Sequence, residues 1–240
     1  MKLYIGNKNY SSWSMRPWVM LTDAGIAFDE VKVRFDAFTP ESSFKRTMAS
    51  VAPTAKVPVL VDGDLVVWDT LAIAEYAAEY SAAHAARLAA GQQARGAELW
   101  PSGSAQRARA RSVCAEMHSG FGALRSHCGM NIEASMPDVG ARVLAEQPAV
   151  RADLARLVDM WSTCLASNGG PWLFGASFGI ADAYFSPVVM RLRTFGLPVP
   201  EVIGAYIERV VARPSVAAWI AGALAEQDFL DFEEPYRQAR

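Results

Sequence analysis

Residues 56–73 read Lys56-Val57-Pro58-Val59-Leu60-Val61, then Asp62-Gly63-Asp64, then Leu65-Val66-Val67-Trp68-Asp69-Thr70-Leu71-Ala72-Ile73. Val57 to Val61 suits a short strand, Asp62 to Asp64 a tight turn, and Leu65 to Trp68 the second arm of a hairpin. Leu71 to Tyr80 follows as a helix with Asp69 and Thr70 at its start, where such residues cap free N–H groups. Toward the N-terminus, Leu3 to Ile5 is an apolar strand. Pro17 to Ala24 reads as a helix ending at Gly25, a residue suited to the left-handed C-terminal position. Phe28 to Phe35 alternates as a strand, and residues 36–55 are loop-like around a helix at Ser42 to Met48. Strand, helix, strand, helix, hairpin, helix predicts a small mixed sheet covered by helices on both faces.

Beyond residue 80 the texture changes. Residues 81–102 form an alanine-rich, glycine-containing connector longer than most in compact domains. Ser104 to Gly129 and Pro137 to Ser167 read as two long helical stretches, the second broken near Pro148. Gly179 to Thr194, Pro200 to Val211 and Pro214 to Glu226 follow as shorter helices punctuated by proline. The expected organisation is an α/β domain over residues 1–82, a linker or insertion over 83–102, and an all-helical domain over 103–240.

The composition excludes several functions. With 240 residues, 52% of them hydrophobic, the chain can bury a substantial core. Its longest apolar stretches, such as Ala82 to Ala90, are mostly alanine interrupted by His84 and Arg87, and none can span a bilayer. The opening Met1 to Gly6 reads as a strand rather than a signal peptide, so the cytoplasm is the expected compartment. The net charge of -2 argues against nucleic-acid binding. Arg107, Arg109 and Arg111 alternate with alanine and suit a solvated helix face. Cys114, Cys128 and Cys164 lack metal-ligand spacing, as do His84, His118 and His127, so no metal is expected.

Three segments offer chemistry. Between the first strand and helix lies Asn9-Tyr10-Ser11-Ser12-Trp13-Ser14-Met15-Arg16-Pro17, with Pro17 expected in the first helical turn. One reading is a serine N-cap with packed aromatics. The other is an anion site, where a hydroxyl and a helix N-terminus stabilise a ligand's thiolate; a free thiol with a pKa of roughly 8.5 is mostly protonated at neutral pH. Pro58 either begins an edge strand or follows a cis bond that turns the Val57 backbone toward an extended peptide. Asp69 and Thr70 either cap a helix or, with its first N–H groups, hold an amino-acid head. Jointly these segments describe a ligand with a thiol, a peptide backbone and an α-amino-acid end, the make-up of glutathione.

The motifs Ser-Ser-x-Ser-x-Arg, Val-Pro-Val-Leu and Asp-Thr-x-Ala-Ile-x-Glu-Tyr resemble the glutathione transferase family, nearest its serine-type, zeta-like members. Phe178-Gly179-Ile180-Ala181-Asp182 is similar to the capping motif of the family's helical domain. The chain departs from the pattern in carrying Trp13 where zeta members have cysteine, and Asp69-Thr70 where glutamate and serine are common. The resemblance implies an α/β thioredoxin-like N-terminal domain, an all-α C-terminal domain and a homodimer. It also implies a catalytic hydroxyl at Ser11 or Ser12, and glutathione held by Trp13, Lys56, Val57, Pro58, Asp69 and Thr70. Met117, Phe121 and Arg125 are expected on one helical face, with His118 beside them. These four and Tyr10 become candidates for the pocket of a small electrophile, although a Met and aromatic stripe is also ordinary core. Two rival activities stay open: a glutathione-dependent isomerase of the maleylacetoacetate type, for which Arg191 and Arg193 offer basic residues, and a non-catalytic binding or regulatory module.

Overall fold

The computed structural model describes residues 1–88 and 99–240. Four strands and three helices form the first part: β1 (Lys2–Ile5), α1 (Ser12–Asp23), β2 (Asp29–Lys32), α2 (Ser43–Ala49), β3 (Val59–Asp62), β4 (Leu65–Val67) and α3 (Thr70–Leu88). The sheet order is β2-β1-β3-β4, with β1 and β2 parallel and the other neighbours antiparallel. Alternation along the strands divides the side chains. Leu3, Ile5 and Leu60 pack with Met15 and Val19 of α1 and Ile73 and Ala77 of α3, whereas Val59 packs with Phe35 and with Phe44 and Met48 of α2. The fold is thioredoxin-like.

The rest of the described chain is helical: α4 (Ser104–Ser119), α5 (Gly122–His127), α6 (Pro137–Glu146), α7 (Pro148–Ser167), α8 (Ile180–Thr194), α9 (Glu201–Ala212), α10 (Pro214–Glu226), and a 3-10 turn at Asp231–Glu233. Pro137, Pro148 and Pro214 each open a helix, where a missing N–H breaks no bond. Among the described residues no helix is long and apolar enough to cross a membrane. Residues 89–98 of the expected linker lie outside the described residues.

Two local expectations require correction. Pro17 lies inside α1 rather than in its first turn. It forfeits the bond that the Trp13 carbonyl would accept, and burial of Met15 to Leu21 holds the helix together despite that loss. The helix expected over Ser104 to Gly129 breaks at Gly120 and Phe121. A Cβ on Gly120 would lie 2.7 Å from the Glu116 carbonyl oxygen, and Phe121 takes a left-handed conformation with φ 55°. Met117, Phe121 and Arg125 therefore do not share a face of one helix.

The hydrophobic core crosses from the sheet into the helical part. Helix α1 packs on α8 and α10 as well as on α3, and the same apolar cluster runs from Leu3 through Met15 to Trp161, Phe185 and Trp219. The Asp182 carboxylate anchors α8 by accepting from the N–H groups of Leu173 (3.1 Å) and Gly179 (3.0 Å) and from the Tyr206 hydroxyl (2.9 Å). The bond from Gly179 is the backward half of a capping box, formed within the Phe178 to Asp182 motif. Burial pushes the Asp182 carboxyl up to about 6.

Candidate functional site

The loop from β1 to α1 is pinned from several sides. Asn7 accepts from the Phe35 N–H at 2.8 Å, and Asn9 reaches across to Asn131 (3.0 Å) and the Glu133 N–H (2.9 Å). Ser11 is the N-cap of α1, yet its side chain caps nothing. Its hydroxyl donates to Ser14 Oγ at 2.7 Å, and Ser14 Oγ accepts from the Gly6 N–H at 3.1 Å. Ser12 differs: its Oγ accepts from Arg191 Nη2 at 3.1 Å, which leaves its O–H available as a donor. The two serines that the sequence treats as equivalent thus have different hydrogen-bond roles.

A hollow of about 460 Å³ opens beside them, lined by Tyr10, Ser11, Ser12 and Trp13 from the loop and first turn. Lys45, Lys56 and Val57 line it from the first part of the chain, and Arg125, Met130, Arg191 and Glu233 from the second. The Tyr10 hydroxyl donates to Glu234 Oε1 at 2.7 Å, and burial together with that carboxylate pushes its pKa up to about 12. Burial also raises the Glu233 carboxyl to about 7, against the opposing pull of Arg191.

A second hollow of about 360 Å³ shares Trp13, Lys56 and Val57 with the first and adds Thr54, Pro58, Trp68, Asp69, Thr70 and His118. The Val57–Pro58 bond is cis. His118 spans two partners, with Nε2 3.2 Å from Asp69 Oδ2 and Nδ1 2.8 Å from the Tyr184 hydroxyl. That hydroxyl is 2.7 Å from Thr70 Oγ1, so the start of α3 is tied to α4 and α8. Asp69 Oδ1 also accepts from the Leu71 N–H at 3.3 Å. The carboxylate therefore acts within its own helix turn while remaining half exposed to the hollow.

Beneath Trp13 the Arg16 guanidinium lies 4.2 Å from the Trp13 ring and 4.2 Å from the Tyr184 ring. It is 3% exposed, and its Nε and Nη1 have no hydrogen-bond partner. Burial lowers its pKa to about 10.

Of the residues singled out in the sequence, Tyr10, Ser11, Ser12, Trp13, Lys56, Val57 and Arg125 border the first hollow, and Pro58, Asp69, Thr70 and His118 the second. Met117 and Phe121 border neither and belong to the core. Arg191 turns inward while Arg193 is exposed, a distinction that follows from the phase of α8. Lys45 and Glu233 enter the site unannounced: one lies on a short helix, the other on the turn after α10, and neither carries a motif.

The fold and the site define a thioredoxin-like protein with a serine at the first helical turn, a cis-proline loop and a helical partner domain, arranged around two adjoining hollows. The model for the N-terminal domain of glutathione S-transferases matches residues 10–79, and that for the C-terminal domain matches residues 86–222. The chain belongs to the glutathione S-transferase family. A glutathione transferase homologue from Burkholderia, solved with bound glutathione, is 25% identical, with a TM-score of 0.65 over 92% of this chain and 97% of its own. A beta-class glutathione S-transferase from Sphingomonas chungbukensis is 26% identical, with a TM-score of 0.63 over 93% and 100%. A maleylacetoacetate isomerase from Methylobacterium extorquens AM1, solved with malonate and glutathione, shares the fold at 22% identity, with a TM-score of 0.64 over 93% and 97%. No curated protein gives a significant match.

Proposed function

We propose that the protein is a glutathione transferase that uses the Ser12 hydroxyl to hold the thiol of glutathione as a thiolate and presents it to an electrophilic carbon. The observation that carries this reading is the hydrogen bond from Arg191 to Ser12 Oγ. With that lone pair engaged, Ser12 can donate its proton to sulfur. The first turn of α1 and the buried Arg191 add positive potential at the same point, which favours thiolate over thiol.

The remainder of the tripeptide follows from the two hollows. The Val57 backbone is suited to pair with the cysteinyl unit in extended form, and Lys45 and Lys56 provide charge for a carboxylate. Asp69 offers a half-exposed acceptor for an ammonium group beside Thr70. The Burkholderia relative with bound glutathione supports the same ligand. In the reaction a C–S bond forms on the electrophile as its leaving group departs with the bonding electrons.

The test is calorimetric titration with glutathione, followed in the same sample by ultraviolet absorbance for the bound thiolate. Binding with a thiolate band at neutral pH is expected. Binding without the band would replace activation by storage, and absence of binding would sink the reading.

A further inference from the structure

The hollow beside Ser12 and its surroundings gather positive charge that no ion pair among the described residues answers. Arg191, 6% exposed, gives Nη1 to the carbonyls of Arg125 (3.2 Å) and Cys128 (2.6 Å) and Nη2 to Ser12. All three acceptors are uncharged. Arg125 has its guanidinium 5.6 Å from the Trp13 ring, and its Nε is buried without a partner. Arg16 lies on the opposite part of the same cluster, between Trp13 and Tyr184. Among the described residues no carboxylate forms an ion pair with any of these arginines. Burial, then repulsion from Arg16 and Arg125, lowers the pKa of Arg191 to about 10. Glu233, the acid that shares the hollow, is pushed up to about 7 by burial and attracts Arg191 without forming an ion pair with it.

Buried guanidinium groups are ordinarily compensated by carboxylates, and their planar fork matches a carboxylate in two-point contact. Here the compensating acid has to come from outside. Three sources are available: the glutathione thiolate of the reading above, which answers one positive charge beside Ser12, the carboxylates of glutathione, and an acid group on the second substrate. Lys45 and Lys56 accompany Val57, where the tripeptide runs in the reading above, whereas Arg191 bonds Ser12 and Arg125 lies by Trp13. An anion on the two arginines therefore sits at the sulfur and not along the peptide. Tyr10, Trp13 and Met130 supply apolar surface beside it.

We propose that the second substrate is an electrophile that joins a flat apolar body to a carboxylate, with Arg125 gripping the carboxylate and Arg191 supporting it from below. The proposal rests on the transferase reading for the word substrate, but the site can be tested without turnover. Calorimetry with 3-nitrobenzoate and with its neutral methyl ester, each with and without saturating glutathione, compares two unreactive probes that differ in charge. The acid is expected to bind about tenfold or more tighter than the ester, the order expected for one charge-assisted fork. That advantage should persist with glutathione bound, vanish in Arg125→Gln, and survive in part in Arg125→Lys. Arg125 is partly exposed, so both variants should melt with the wild type.

Equal affinities for acid and ester would overturn the proposal. So would displacement of the acid by glutathione, which would assign the arginines to the tripeptide, or an undiminished advantage in Arg125→Gln. Loss of the transferase reading has a separate signature: no heat on adding glutathione, while the comparison of acid with ester stays readable.

Discussion

Ser11 and Ser12 are neighbours in sequence and in space and both line the first hollow, yet Ser11 bonds Ser14 whereas Ser12 accepts from Arg191. Ser11→Ala removes a bond to Ser14 and is expected to lower stability by about 1 kcal/mol, with turnover largely kept. Ser12→Ala is expected to reduce kcat by roughly 100-fold, as loss of a preorganised donor to a developing or bound anion does, and to abolish the thiolate band. Parallel kinetics of the two variants decide the assignment; equal losses would remove the distinction. The sequence presents Ser-Ser-x-Ser without ranking its members. The ranking comes from Gly6 and Arg191, one close in the chain and one 179 positions from Ser12. Trp13, Lys56, Val57, Asp69 and Thr70, singled out from sequence motifs, line the hollows because the local structure of those motifs fixes their direction. Lys45 and Glu233 are not, since a lysine on a helix or a glutamate near a turn is an ordinary surface residue until the fold brings it inward.

At the scale of elements, Asp182 shows how one carboxylate determines where a helix begins. It satisfies two N–H groups and a tyrosine hydroxyl at the start of α8, the helix that also carries Tyr184 and Arg191. Asp182→Ala leaves these donors buried without acceptors, so urea denaturation is expected to show a loss of about 3 kcal/mol or more. A loss below about 1 kcal/mol would mean that water replaces the carboxylate. The strands, hairpin and proline-opened helices are readable because their signals are local: alternation, a Gly63 turn, a proline at a helix start. The break at Gly120 and Phe121 is harder to read, because glycine is tolerated inside many helices and the left-handed phenylalanine is fixed by tertiary packing. That one break removes the face expected to hold Met117, Phe121 and Arg125 together. Of the three, Arg125 borders the first hollow while Met117 and Phe121 stay in the core.

Across the whole molecule, the sheet-bearing and helical parts meet along α1 and α8, and Arg16 lies buried in that seam. A buried, incompletely partnered charge weakens a fold, and an apolar side chain of similar length in its place is often neutral or stabilising. Arg16→Met is therefore expected to keep the unfolding free energy unchanged or raise it by up to about 1 kcal/mol in urea denaturation. It should also lower the thiolate fraction of bound glutathione, because the positive charge beneath Trp13 is gone. Substantial destabilisation, with the thiolate unchanged, would assign Arg16 to packing alone.

The stacking of Arg16 between Trp13 and Tyr184 also bears on how such a molecule can be recombined. Tryptophan and cation come from one part of the chain and tyrosine from the other, while the tyrosine hydroxyl is shared by Thr70 and His118. A chimera that joins this sheet-bearing part to a foreign helical part lacking an aromatic ring at the position of Tyr184 would carry a bare guanidinium into an oily joint and leave a threonine hydroxyl unanswered. Exchange between lineages would then have to move α1, α4 and α8 as one inherited block, whatever the boundaries of the surrounding sequence.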